Sequence, residues 1–334
     1  MPLRRPAVAA ITALALAVLG AACSGDSTEL TVYSGRTQDL VGPLLQRFEE
    51  ETGTEVKVRY GDSAEVAGAV LEEGDRPRAD VLLVQDAGNI GQVANAGRLV
   101  PLRRPVLEKV PAQFRSPEGL WVGLSGRARV VVYNTEKVPE SELPPTVDGF
   151  TDPRWKGRLA WAPTNGSFQA FVTAFRVMEG EAAARKWLEG VEANDPREFP
   201  NNSAIVEAVG RGEVDAGFVN HYYLYRLRAE GRAGEAENKV FGNGDPGSLV
   251  NVSAAGVVKG TDRAADARRL VEFLLNDESQ RYFAERTYEI PVVPTVQGGA
   301  GVPEITSLPP PEVDLAKLDD AKGTVDLLTR LGIL

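Results

Sequence analysis

Short apolar strands alternate with helix-patterned segments from about residue 30 onward, and that alternation limits the fold more than any other feature of the chain. Residues 30–33 form an apolar run closed by the turn residues Ser34 and Gly35. Leu40, Val41, Leu44, Leu45 and Phe48 then recur at helical spacing as far as Gly53. Val56, Val58 and Tyr60 alternate as a strand, residues 66–73 read as a second short helix, and residues 80–84 as a continuous buried strand. Strand, helix, strand, helix, strand in that order implies parallel pairing with helices on the faces of the sheet. After a further strand at 130–133, the Pro-rich stretch 139–153 reads as a crossing into a second lobe. That lobe is expected to hold strands at 158–161 and 215–219 and helices at 167–178, 181–191 and 203–209. A strand at 252–258 then returns, followed by helices at 263–276 and 278–285. A length of 334 residues suits two such units. A chain that begins one lobe, builds another and comes back predicts a hinged α/β architecture of two lobes. Its default ligand site is the cleft outside the carboxyl ends of the strands.

Composition narrows the chemistry. The chain has one Cys and one His, so it has no internal disulfide and no site built from several Cys or His ligands. With 37 Lys+Arg against 47 Asp+Glu, its net charge of −10 lacks the basic footprint of a nucleic-acid binder. A Ser-His-Asp hydrolase would have to use His221, and no nucleophile-elbow motif accompanies it. The glycines of residues 242–247 fit G-x-G-x-x-G literally, yet Pro246 interrupts them and a strand follows, so this is a loop.

The N-terminus reads as an address. Arg4 and Arg5 precede a weakly apolar run at 7–19, which ends in small residues before Cys23. That pattern is a secretory signal over residues 1–22, too short for a comfortable membrane span. The only Cys standing at the cut site, with a polar tether to residue 28 behind it, resembles a bacterial lipoprotein signal with lipidation of Cys23.

Several segments carry candidate binding chemistry. Three of the eight tyrosines fall within residues 222–225, directly after a strand. Tyr222 and Tyr223 can both face a cleft only where the backbone has left strand alternation. Phenolate is a hard oxygen donor suited to a hard trivalent cation; the competing reading is a packing pair with its hydroxyls at the surface. Asn165, Gly166 and Ser167 open one helix, and Asn202 with its neighbours opens another. Such helix starts hold oxyanions on their N–H groups, or serve merely as caps. Asp86, after Gln85 at the end of the strongest apolar strand, is either an oxygen ligand or a helix cap. Arg127 and Arg129 either hold an anion or pair with carboxylates.

The blocks Thr31–Gly35 (TVYSG), 121–134 (WVGLSGRARVVVYN), 155–157 (WKG), 163–166 (PTNG), 220–223 (NHYY) and 245–250 (DPGSLV) resemble bacterial ferric-iron-binding extracytoplasmic proteins, the solute receptors of ATP-binding-cassette importers. The resemblance runs from about Leu30 to the C-terminus. It implies a periplasmic-binding-protein fold of type II-like form, with a two-strand hinge and an interlobe cleft. Lobe 1 would comprise 29–128 with 250–303, and lobe 2 would comprise 129–249 with 304–334. It implies Tyr222 and Tyr223 as phenolate ligands of Fe3+, with Asp86 or Gln85 as a further donor. Asn165, Gly166, Ser167, Asn202 and Asn220 fall where members hold a synergistic anion such as phosphate, carbonate or citrate. It further implies a monomer without enzymatic activity, held outside the cell membrane by the lipid on Cys23 and serving a permease and its ATPase. The chain departs from the family where members have His or Tyr ligands after the first strand, at Thr37 and Gln38. It departs again where some use an acidic ligand, at Gln85, and where others use a third Tyr, at Phe168. Only two protein ligands are carried over, so a ferric chelate suits the cleft as well as Fe3+ itself. A receptor for another small anion or organic cation is the alternative, and a hydrolase based on His221 the remaining one.

Overall fold

A computed structural model describes residues 29–242, 244–299, 301–308 and 313–334. Cys23, the signal segment and the tether lie outside the described residues. Lobe 1 opens with β1 (Glu29–Ser34), α1 (Gln38–Thr52), β2 (Glu55–Tyr60), α2 (Ser63–Glu73), β3 (Val81–Val84), α3 (Ala87–Asn95), β4 (Leu99–Val100) and α4 (Arg104–Leu107). Strand β1 pairs in parallel with both β2 and β3, as the strand–helix alternation requires. The long strand β5 (Val122–Asn134) then runs out of this lobe into the next. It takes in residues 125–129, which the sequence placed ahead of a shorter strand.

Lobe 2 contains β6 (Leu159–Trp161), α5 (Gly166–Glu179), α6 (Glu181–Glu192), β7 (Arg197–Glu198), α7 (Asn202–Gly210), β8 (Ala216–Asn220), α8 (Tyr222–Ala229) and β9 (Ala236–Lys239). Side chains alternate across its sheet. Val131, Tyr133, Ala216 and Phe218 join the aromatic core with Phe150, Trp155, Phe171 and Trp187. Val130, Val132 and Val219 face the opposite core with Ile205, Val206, Leu224 and Leu227. Helices therefore cover both faces.

The chain returns through β10 (Val250–Val258), α9 (Ala264–Leu274), α10 (Asp277–Tyr282) and β11 (Ile290–Pro291), and ends in α11 (Ala321–Arg330). Strand β10 is antiparallel to both β3 and β5, so the lobe 1 sheet is mixed instead of wholly parallel. The strand order is β2-β1-β3-β10-β5-β8-β6-β7, with β5 shared between the lobes. Its partner changes at the hinge: Ala128 pairs with Val250 of β10, whereas Arg129 pairs with Asn220 of β8.

Ile305, Leu308, Leu315 and Leu318 pack into the core that holds β1 and β3, whereas Leu327, Leu328 and Ile333 pack into the aromatic core of Phe150, Phe171 and Trp187. An amphipathic pattern cannot say which lobe it covers. The strap lies close on α3: a Cβ at Gly88 would stand 2.2 Å from the Leu318 carbonyl oxygen, so only glycine fits there.

Candidate ligand site in the interlobe cleft

The chain turns sharply after β8, and that turn builds the site. His221 already has helical backbone angles, and Tyr222 and Tyr223 are the first residues of α8. Strand alternation has ended, so successive side chains no longer point to opposite faces. The two rings stack with centroids 4.2 Å apart and planes 28° from parallel. Both residues are half-buried. Burial and the neighbouring Tyr223 push the Tyr222 phenol well above its ordinary value, against the pull of Arg127.

His221 turns the other way. It is 1% exposed, and its Nδ1 accepts the Ala128 N–H at 3.2 Å while the His221 backbone N–H donates to the Ala128 carbonyl. It clips α8 to the hinge strand. Burial lowers its pKa to about 4, which keeps the ring neutral. A histidine whose acceptor nitrogen is already used, sealed from solvent, does not serve as a hydrolytic base.

Beside the phenols, the two helix starts of lobe 2 form one connected cradle. Asn165 caps α5, its Oδ1 accepting from the Ser167 N–H at 3.0 Å and the Ser167 hydroxyl at 2.6 Å. Asn202 Nδ2 donates to the same Asn165 oxygen and to Ser167 Oγ, each at 3.2 Å. Asn202 Oδ1 accepts the Asn220 N–H at 3.1 Å. Asn165, Ser167, Asn202 and Asn220 are thus brought together, and Gly166 starts the helix they cap. The space about a Cβ built on Gly166 is open, with no heavy atom within 4 Å.

Arg129 belongs to this cluster, donating to Asn220 Oδ1 at 3.2 Å and to Ser167 Oγ at 3.4 Å. Its guanidinium lies 5.2 Å from the Phe171 ring centroid. Burial pushes it down to about 9, with Tyr223 and Tyr222 acting in the opposite sense.

Lobe 1 contributes a second charged group. Glu289 accepts from both terminal nitrogens of Arg36, at 2.8 and 2.7 Å, and from Ser125 Oγ at 3.0 Å. Arg127 Nε lies 4.0 Å from the same carboxylate, and Arg127 Nη1 reaches Gln85 Oε1 at 3.4 Å. Arg36, Arg127 and Arg129 are each no more than 6% exposed, yet Glu289 is the one carboxylate paired with any of them among the described residues. The site therefore holds more buried cations than anions, an arrangement that favours an anionic occupant.

The other sequence candidates divide. Gln85 lies at Arg127. Asp86 is a helix cap: its two oxygens accept from the Asn89 N–H at 2.9 Å and from Asn89 Nδ2 at 2.7 Å. Thr37 and Gln38 are exposed. Phe168 is 1% exposed and packs against Trp161 and Trp187 in the lobe 2 core. Among the described residues no group of three or more His, Cys, Asp and Glu side chains could hold a metal ion. Sequence reasoning left Arg127 and Arg129 open and passed over Arg36 and Glu289, because pairing across 253 positions leaves no local pattern.

The fold has known counterparts. A family profile described as bacterial extracellular solute-binding protein matches residues 76–308. The major ferric iron-binding protein of Neisseria meningitidis serogroup B is 31% identical over 332 residues, spanning 96% of this chain and 99% of that protein. The structure of iron-bound HitA from Pseudomonas aeruginosa superposes with a TM-score of 0.83 at 33% identity, covering 91% of this chain and 99% of its own. Trichodesmium IdiA (FutA) in complex with iron and citrate superposes with a TM-score of 0.78 at 31% identity, covering 91% and 99%.

Proposed function

The chain belongs to the bacterial extracellular solute-binding protein family, and from that premise we propose that it captures ferric iron, accompanied by a small oxyanion, between its two lobes. The likeness to proteins named for ferric iron, one of them solved with iron and citrate, supports this cargo. The observation that carries it is the stacked pair Tyr222 and Tyr223 at the start of α8. Two phenolates supply hard anionic oxygens to Fe3+, and carbonate, phosphate or citrate completes its coordination from the cradle of Asn165, Gly166, Ser167, Asn202 and Asn220. Gln85 is a further neutral oxygen on the lobe 1 side, while Asp86 is committed to its helix.

The protein acts as a receptor and does no chemistry on its cargo. Closure is favoured because lobe 2 brings the phenols and lobe 1 brings Arg36 and Arg127, so only the closed cleft offers both. Its partners are a membrane permease and an ATPase outside whose bilayer it is held, as a monomer, by a lipid on Cys23.

A spectrum tests the cargo. Iron-free protein given ferric citrate develops a tyrosinate-to-iron charge-transfer band, and the Tyr222→Phe, Tyr223→Phe double variant does not. A folded wild type without the band overturns ferric ligation by this pair. The excess of buried cations then points to an iron-free organic or inorganic anion, found by titration calorimetry.

A further inference from the structure

The start of α8 differs from the two helix starts of the cradle. Asn165 caps α5 and Asn201 caps α7 through their side chains, whereas no side chain caps α8. An uncapped start leaves the first N–H groups of a helix unanchored. Yet Tyr222 and Tyr223 stand there as its first two residues, with their rings stacked.

His221 holds that start in place of a cap. Strands β5 and β8 run antiparallel with Arg129 opposite Asn220, so Ala128 falls opposite His221. One bond of that rung forms, from the His221 backbone N–H to the Ala128 carbonyl at 3.0 Å. In a continuing ladder its counterpart would run from the Ala128 N–H to the His221 carbonyl. At His221 the backbone is already helical, and that carbonyl accepts instead from Asn238 Nδ2 at 3.0 Å. The imidazole Nδ1 takes the Ala128 N–H, at 3.2 Å. The side chain thus completes the rung that the turn into α8 removes. Asn238 lies in β9 opposite Val132 of the hinge strand, so both anchors of His221 belong to one sheet. The imidazole meets the Tyr222 ring edge-on, with centroids 5.8 Å apart and planes 81° from parallel.

We propose that His221, braced by Asn238, is the positioning residue of the phenol pair: it fixes the start of α8 to the hinge strand, so that Tyr222 and Tyr223 hold their stacked geometry before cargo arrives. This rests on the reading of the pair as ligands. Donors held within about 0.5 Å of their productive geometry need no rearrangement on binding, and the bonds that hold them contribute to affinity without touching the metal. The role needs an acceptor where Nδ1 stands, which asparagine Oδ1 supplies and leucine does not.

Two readouts test it, one of them without iron. Near-UV circular dichroism of the iron-free protein reports the stacked pair, as the wild-type spectrum minus that of the Tyr222→Phe, Tyr223→Phe double variant. His221→Leu is expected to lose this difference signal, Asn238→Ala to lose part of it, and His221→Asn to keep most of it. With ferric citrate bound, excess EDTA should strip iron roughly 10-fold faster from His221→Leu, with a displaced charge-transfer maximum, and His221→Asn should recover both. Where His221→Leu does not fold, Asn238→Ala and His221→Asn carry the comparison. Lower melting points with an unchanged difference signal, band maximum and rate of iron loss overturn the proposal, since His221 would then serve stability alone. A wild-type spectrum indifferent to Tyr222 and Tyr223 overturns it too, because the pair would not be held in advance. Should the difference signal follow His221 as expected while the wild type never shows the ferric band, the ferric reading falls and the positioning role stands.

Discussion

Arg36 and Glu289 meet in a two-pronged ion pair at 2.8 and 2.7 Å, although 253 positions separate them in the chain. Both are almost wholly buried. Ser125 and Thr287 add hydroxyl donors to the carboxylate at 3.0 and 3.1 Å, and Ser125 is linked to Ser253 of the returning strand. The residue before Glu289, Tyr288, has a left-handed φ of 57°, unusual for a bulky side chain. The first strand, the hinge strand and the returning segment thus converge on one carboxylate behind Tyr222.

Glu289→Gln is therefore expected to destabilise the protein by about 3–5 kcal/mol, because Arg36 would keep its buried charge without a counter-charge. Chemical denaturation of the iron-free protein measures it. Burial pushes the Glu289 carboxyl up, but Arg36 and then Arg127 and Ser125 outweigh it and hold the group below the usual carboxylate range. Its stabilising contribution is present above the unfolded value of about 4.3 and is lost as pH falls through the lower folded value. The variant should show a shallower loss of stability on the acid side. An acid limb as steep as that of wild type would mean that other carboxylates dominate acid unfolding.

His221 gives a second, separate pH signature. Its folded pKa of about 4 lies below the unfolded value of about 6.5, so the unfolded chain takes up a proton that the folded one refuses. Stability should fall as pH drops through that window, by roughly 3 kcal/mol in all. In His221→Gln this part of the slope should vanish, whatever the variant's absolute stability. Melting curves of both proteins between pH 7 and pH 4 decide it, and equal slopes would show that the imidazole is hydrated in the folded protein.

Asp86→Ala separates a cap from a ligand. Because both Asp86 oxygens are occupied by Asn89, the substitution should cost about 1 kcal/mol of stability and leave iron binding unchanged. A charge-transfer band that weakens or shifts in this variant would restore Asp86 to the metal site.

These contrasts mark what the residues alone could disclose. The alternation of Val131 with Val130, or of Phe218 with Val219, is a local signal, and it becomes the two faces of the lobe 2 sheet. The Tyr222–Tyr223 pair is legible for the same reason: two phenols in succession after a strand require a turn there. The cap at Asp86 is half legible, since Asn89 stands three residues on but a ligand would look the same. Charge balance is not local at all. Arg127 and Arg129 are two residues apart in one buried strand, yet Arg127 lies within 4.0 Å of Glu289 and Arg129 pairs with no carboxylate. The strand changes partner from β10 to β8 between Ala128 and Arg129, and no spacing rule records which carboxylates come with each partner.

Proton release ties the phenols to the cargo most directly. Burial, reinforced by Tyr223, holds the Tyr222 phenol well above its ordinary value in the absence of metal. At neutral pH that phenol keeps its proton, and ligation to Fe3+ must expel it. Iron binding in weakly buffered solution should therefore release a proton from Tyr222, and the apparent affinity should rise with pH. In Tyr222→Phe the release should fall by one proton per iron relative to wild type under the same chelate. Calorimetry in two buffers of different ionisation enthalpy gives the count. A Tyr222→Phe protein that still binds ferric citrate and releases as many protons as wild type would place the metal elsewhere in the cleft, and leave the stacked pair as a wall of the site.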